Sequence, residues 1–571
     1  MSDAAPVFMR TLESVQKRAG AGARAWVYAH EDQLTDQIGP LARLKPEQTG
    51  LILIEDRHKC ALRPYHVQRL AVVRACQRQF ALEQARRGVR VRYVIGQRPC
   101  GHELLDAAKA VGAARVTMMT PAEREARAHL APAVERGVLA QVPHEGWLTT
   151  TQQFEGSHAG ARGSPRWKMD TFYRHVRRET GILMDKDGQF VGGKVSFDTE
   201  NREPWSGAIG QPAAPTPPTF EPDDVTREVL HELRAQGTDQ HHPGTLDERA
   251  VPATQADAQR LWTWAKAHCL THFGPYEDAM STASSGVFHT RISTLMNLHR
   301  LLPSRVVKDV EALDVPLASK EGFIRQVLGW REFVRHVHEA TDGFRRQVPR
   351  ARQALQPPGD GGFARWRAGD KPEVSEDGPM GLVPAFWPHG GAHASGLACL
   401  DRVVADVWRE GWSHHITRLM VLCNIASLLE LSARELCDWF WVAYTDAWDW
   451  VVEPNVLAMG TYATGDVMTT KPYISGAAYI DKMSDYCASC RFVPGKTCPL
   501  TALYWAFLDR HAKDLEGNGR MLMPLRSLAK RSARQRQADR ATFVHVREVL
   551  VQGRALTPAG VARAQGAGGP S

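Results

Sequence analysis

Apolar positions in the first 120 residues come in short bursts. Ala25 to His30 and Leu51 to Glu55 are runs of strand length, Val89 to Ile95 alternates valine and tyrosine with arginine, and Val116 to Met119 adds a fourth run. Between them, Tyr65 to Arg87 places Val67, Leu70, Val73, Cys76, Phe80 and Leu82 near helical spacing. Strands alternating with helices predict an α/β unit with a parallel, Rossmann-like sheet covered on both faces, which carries ligands at the carboxyl ends of its strands. No GxGxxG or GxxxxGK occurs in this stretch, so the usual phosphate loops are not expected.

From Thr150 to Thr254 the periodicity weakens and Gly, Pro and polar residues rise, most of all from Pro212 to Pro222. A long interdomain connection is expected there, carrying one helix in KMDTFYRHVRRETGILM. After about Gln255 the spacing is helical almost throughout: Leu261 to Phe273, Val287 to Leu302, Lys320 to His338, Leu400 to Arg409, Ile416 to Leu431 and Arg434 to Trp450. A Gly- and Pro-rich stretch from Pro357 to Gly396 interrupts it. The expected organisation is an α/β domain over 1–149, a connector over 150–254, an all-α domain over 255–530 and a basic tail over 531–571. No repeat of fixed period is present.

Composition narrows the setting. The chain has 571 residues, 43% of them hydrophobic and 23% charged, which suits an ordinary globular protein. No stretch resembles a signal peptide or a membrane span, so a cytoplasmic protein with no membrane partner is the expectation. The formal net charge is +8, and Arg510 to Ser571 alone holds twelve Lys or Arg against four Asp or Glu, a local balance of +8. Lys530, Arg531, Arg534, Arg536 and Arg540 therefore offer either a contact for a polyanion or a solvated helix face.

Ten cysteines in a reducing compartment are not a disulfide framework. Six are scattered singly, but Cys487, Cys490 and Cys498 fall within twelve residues, with Cys399 upstream. Thiols at this density suit a soft metal centre, either structural zinc or an iron-sulfur cluster.

Several segments carry a resemblance. FGPYEDAM at Phe273 to Met280, FHTRIS at Phe288 to Ser293, EGFIRQVLGWREF at Glu321 to Phe333, HHITRLM at His414 to Met420 and DYCASCR at Asp485 to Arg491 resemble the iron-sulfur bacterial branch of the photolyase and cryptochrome family. The resemblance runs from about Arg24 to Leu528 and is strongest in the helical half. It implies an antenna domain followed by an all-α FAD-binding domain, with Cys399, Cys487, Cys490 and Cys498 holding a 4Fe-4S cluster.

The same resemblance assigns roles. Tyr276, His289, Thr290, Arg291 and Ser293 would meet the FAD pyrophosphate, Arg418 and Asp446 would flank the flavin ring, and Asn455 would approach it. A glutamate usual near Val452 is displaced to Glu453. His414 and His415 match the paired histidines of (6-4) photolyases, with His415 against the lesion as proton donor. Trp330 and Tyr473 would line the pocket for a flipped dinucleotide, and Arg331, Lys530 and Arg531 would hold DNA phosphates. Trp387, Trp439 and Trp441 would carry electrons, Trp441 standing in for a tyrosine that this chain replaces by Phe440. The loop FWPHGGAHASGLACL is longer than the family's usual segment before Cys399. In the α/β domain, HEDQL at His30 to Leu34, with Asp32, Gln33 and Glu55 at strand ends, would hold an antenna such as 6,7-dimethyl-8-ribityllumazine. The implied activity is light-driven repair of (6-4) photoproducts in UV-damaged DNA by a monomer. The alternatives are a cryptochrome-like photoreceptor without repair activity and a light-independent iron-sulfur DNA-binding protein.

Overall fold

The computed structural model describes residues 6–17, 22–159, 166–235, 242–346, 356–374, 379–388 and 394–567. Part of the long loop before Cys399, residues 389–393, lies outside them.

The α/β unit holds five parallel strands: β1 Ala25–Tyr28, β2 Thr49–Asp56, β3 Arg90–Gly96, β4 Val116–Met119 and β5 Leu139–Val142. Their order is β3-β2-β1-β4-β5, with Ala25 opposite Thr49, Trp26 opposite Val116 and Gly50 opposite Arg90. The chain reverses direction across the sheet between β1 and β4, so a crevice opens at their carboxyl ends. Strand β5 and the first helix, α1 (Val7–Gln16), are additions to the sequence expectation. Helices α2 (Val67–Arg86), α3 (Cys100–Ala110) and α4 (Arg124–Glu135) cover the sheet. Helix α2 is buried nearly all round, because α1, the sheet and the helical half all press on it. That is why its apolar face is indistinct in sequence.

The connector does more than join. Helix α5 (Met169–Thr180) buries Phe172, Tyr173 and Val176, and α6 (Asp224–Ala235) packs on α2 through Val225, Val229 and Leu233.

The rest is helical. A reciprocal Thr254–Asp257 capping box starts α7 (Gln255–His268), and Trp262, Trp387, Trp439, Trp441 and Trp448 are among the largest fully buried side chains. The helix expected over Val287 to Leu302 contracts to Ser293–Asn297. Val287, Arg291 and His299 adopt φ of 45°, 57° and 54°, a left-handed backbone that no helix continues through. Three stretches widen to π-helical turns, Arg325–Arg331, Thr417–Cys423 and Glu453–Gly460. The basic tail is corrected: α8 (Ala533–Val551), opened by a Ser532–Gln535 capping box, buries Phe543, Val546 and Leu550 against the helical domain, and α9 (Pro558–Ala567) packs on α8. Among the described residues, no helix is long and apolar enough to cross a membrane.

Candidate active site and metal centre

The π-helical turn Thr417–Cys423 presents Arg418 to Asp446. The guanidinium donates twice to the carboxylate, Nη1 to Oδ1 and Nη2 to Oδ2, each at 3.0 Å. Ser293 Oγ donates to Asp446 Oδ2 at 2.7 Å, and Asn297 donates to the Asp446 carbonyl at 3.0 Å. Tyr444 lies under the Arg418 guanidinium at 4.0 Å. A bidentate pair fixes one positive and one negative edge side by side, and both edges suit a planar heterocycle with alternating donors and acceptors.

The histidines meet next to this pair. His289 stacks on His414 with ring centroids 4.5 Å apart, and His415 lies 5.3 Å from His289. Burial, then the neighbouring imidazole of His289, pushes both His414 and His415 well below the ordinary histidine range; His289 itself falls to about 4. His415 is the outermost, with 38% of its side chain exposed and Nε2 3.9 Å from Asp278. Burial raises the Asp278 carboxyl to about 6, and Tyr479 donates to it at 3.2 Å. Tyr473 is half-buried, and burial, then the carboxylates of Asp170 and Asp198, raises its hydroxyl above the ordinary tyrosine range.

Other expected residues fall nearby with different partners. Thr290 is buried, while Arg291 pairs with Glu410 at 2.7 Å and stacks over Trp412. Tyr276 packs on Phe288, and Asn455 donates to the Val451 carbonyl at 2.8 Å. Glu453 is enclosed by His338, Arg434 and Arg345 at 2.8, 2.8 and 3.0 Å. Trp330 is half-buried beside Phe333.

Two expectations are corrected. Arg331 is no phosphate contact: its side chain is 8% exposed, pairs with Glu332, and stacks on Trp147 and Trp450 beneath the α/β unit. Trp441 lies outside the aromatic run and packs instead under Arg63 at 3.7 Å. The run is Trp366, Trp387, Trp408, Trp439, with centroid steps of 5.3, 5.4 and 5.7 Å. Trp439 then meets Tyr444 at 6.2 Å, which brings the run under Arg418. Trp408 and Trp439 both donate to the Phe386 carbonyl at 2.9 Å, so one acceptor holds two indoles in register. Sequence reasoning missed Trp366, Trp408 and Tyr444; the only available signal for Tyr444 was its place two residues before Asp446.

Of the basic surface, Lys530 is exposed, whereas Arg531 is held by Asp539 at 2.6 Å and Arg536 by Asp509 at 3.1 Å.

Cys399, Cys487, Cys490 and Cys498 line one cavity together with Leu397, Tyr486, Phe492 and Leu500. Burial pushes Cys399 well up, and its three companion thiols push it further; burial also raises Cys487 to about 12 and Cys498 to about 11. Four thiols converging on one cavity are a donor set that suits a soft metal, whose charge would turn them into thiolates.

At the sheet end, His30 pairs with Asp32 at 2.9 Å, Asp32 also accepts from Ala122 N, and Gln33 donates to the Met119 carbonyl. Glu55 is taken by Arg57, Arg78 and Tyr93.

Fold and cleft together describe a two-domain protein of the photolyase type, and the comparisons agree. Residues 27–251 match the model of the deoxyribodipyrimidine photo-lyase-related protein family. The chain is 30% identical over 532 residues to a (6-4) photolyase of Agrobacterium fabrum, covering 89% of this chain and 96% of that one. The chain belongs to the photolyase-related family. Its fold is also similar to the crystal structure of a bacterial class III photolyase from Agrobacterium tumefaciens (TM-score 0.53, 13% identity, 93% of this chain and 99% of that chain). A Synechocystis sp. PCC6803 cryptochrome is similar too (TM-score 0.51, 14% identity, 85% and 92%).

Proposed function

We propose that this protein is a light-driven DNA photolyase that repairs pyrimidine (6-4) photoproducts, with FAD at the Arg418–Asp446 pair and a 4Fe-4S cluster on Cys399, Cys487, Cys490 and Cys498. One observation carries the reading: a partly exposed imidazole, His415, lies against His289 and close enough to Arg418 to feel its charge, while Arg418 is held in a bidentate pair with Asp446. FAD in its reduced form would supply the light-driven electron. The chain's own residues do the rest. Asp446 offers a carboxylate to a ring N–H and is held for that task by Ser293 and Arg418. Arg418 places a fixed positive charge where negative charge would gather.

His415 delivers a proton at Nε2 to the hydroxyl or amino group that must return to its base, a step that scission of a cyclobutane dimer does not need. Because His415 is held neutral, it acts as a relay, and Asp278, raised to about 6 and 3.9 Å from Nε2, is the acid from which that proton is drawn. Trp330 and Tyr473 offer aromatic surface for a flipped dinucleotide. The run from half-buried Trp366 to Tyr444 gives closely spaced oxidisable rings between surface and cleft. The cluster would tie the helix Ala398–Glu410 to the segment 487–498 in one rigid unit. Asp32, Gln33 and Glu55 are engaged with protein partners, so no step is assigned to a 6,7-dimethyl-8-ribityllumazine antenna.

Anaerobic purification, absorption spectroscopy and illumination with oligonucleotides carrying either lesion test this reading. A flavin band with loss of (6-4) lesions is expected. Clean photoreduction with both lesions untouched would sink it in favour of a photoreceptor.

A further inference from the structure

Far from the four-cysteine centre, a second set of soft and borderline ligands converges in the α/β unit. Asp56 ends β2, Cys100 opens α3 and His129 lies in α4; one ligand atom from each lies within 4.8 Å of the other two. We propose that these three residues form a binding site for a single divalent ion of the zinc class, which ties β2, α3 and α4 together. The inference is independent of the light-driven reaction.

The local structure holds the ligands in place. Gly101, next to Cys100, approaches α4 so closely that a Cβ there would lie 2.1 Å from the His129 carbonyl oxygen, so the two helices are locked at the level of both ligands. The Asp56 carboxylate is oriented by its cap on the helix Arg57–Leu62, where Oδ1 accepts from Lys59 N at 3.0 Å, and a carboxylate can serve a second partner through its other oxygen. Cys100 is 1% exposed, while Asp56 and His129 are half-buried, which leaves an open side for entry. His58, its ring 5.9 Å from that of His129, is placed to supply a fourth ligand, with water as the other occupant of that position. The nearest ammonium does not oppose a cation, because Lys59 is neutralised by Glu31 and Glu123 at 2.7 Å each.

The donor types select the metal. One sulfur, one imidazole and one carboxylate favour zinc over magnesium or calcium, which prefer oxygen alone. Zinc ligands stand about 3.5 Å apart, so the triangle tightens by about 1 Å on binding. Binding replaces the Cys100 S–H bond by a sulfur–metal bond and releases the proton to solvent.

The full chain, supplied with zinc and dialysed, is assayed for zinc and iron by mass spectrometry, alongside Cys100→Ser, His129→Gln and Cys490→Ser. About one zinc per chain is expected in the parent, at least a tenfold loss of zinc with unchanged iron in C100S and H129Q, and retained zinc in C490S. Cobalt in place of zinc should show a thiolate charge-transfer band that C100S abolishes and C490S keeps. Zinc that persists in both C100S and H129Q, zinc lost only in C490S, or a folded parent without zinc would each overturn the site. If C100S fails to keep the parent's near-UV circular dichroism, His129→Gln at the half-buried ligand decides.

Discussion

Histidine is treated in opposite ways at the two ends of this molecule. In the crevice of the sheet, burial disfavours the charged form of His30, but Asp32 at 2.9 Å overrides it and raises the imidazole to about 9. In the helical half, His289 and His414 stack on each other near Arg418, and the acid beside His415, Asp278, stands off at 3.9 Å, so burial and like charge push all three down. A paired histidine is a structural cation, whereas a stacked cluster kept neutral can take up and give back a proton. The difference lies in the partner: a carboxylate at 2.9 Å holds the proton on His30, whereas His289 and His414 meet imidazole on imidazole.

The largest test of this contrast is His415→Ala. Repair of (6-4) lesions should fall about 100-fold or more, the usual worth of a general acid, with flavin content and photoreduction unchanged. Equal loss of flavin would show that His415 is part of the scaffold.

Trp408→Phe should slow flavin photoreduction about tenfold while leaving single-turnover repair intact, because a poorly oxidisable ring then interrupts the run between Trp387 and Trp439. Trp441→Phe, outside that run, should leave the photoreduction rate unchanged; time-resolved absorption reads both.

The pH dependence of stability should split by region. His30 has a folded value near 9 against 6.5 unfolded, so its pair contributes about 3 kcal/mol that is fully present below pH 6.5 and lost as pH rises through 9. Asp32→Asn should remove that alkaline loss from denaturant titrations. His289 runs the other way: with a folded value near 4, stability is full above pH 6.5 and declines as pH falls from there through 4. His289→Gln should flatten the acid limb over that window. Glu453, depressed to about 2 despite burial because His338 and Arg434 hold it, adds a separate loss as pH falls from 4.5 through 2.

Much of the architecture was legible from periodicity. Four of five strands and the long helix after β2 follow from short apolar bursts and 3.6-residue spacing, and β5 escaped because LAQV is too short to show alternation. The cleft was legible only through motifs. Trp330 and Arg331 are adjacent in sequence, yet successive helical residues point about 100° apart, so Trp330 packs beside Phe333 while Arg331 stacks on Trp147. Trp408 read as an ordinary core position of an amphipathic helix, and Tyr444 as filler between helices. Nothing in linear spacing marks either as a neighbour of Trp439. All three π-helical turns carry residues of interest, Trp330, Arg418 and Asn455, and such turns leave no signature in an apolar helical run.

By itself, the order of residues determined the parallel sheet, the helical half, the crowding of three cysteines and the motifs that mark the family. These depend on neighbours along the chain, whose spacing a period or a pattern records. Tertiary structure alone decided which partner each buried ionisable group received, which indoles lie in one run, and that Asp56, Cys100 and His129 meet. Burial and contact between segments far apart in sequence set those outcomes, and they give similar residues, such as His30 and His415, opposite chemistry.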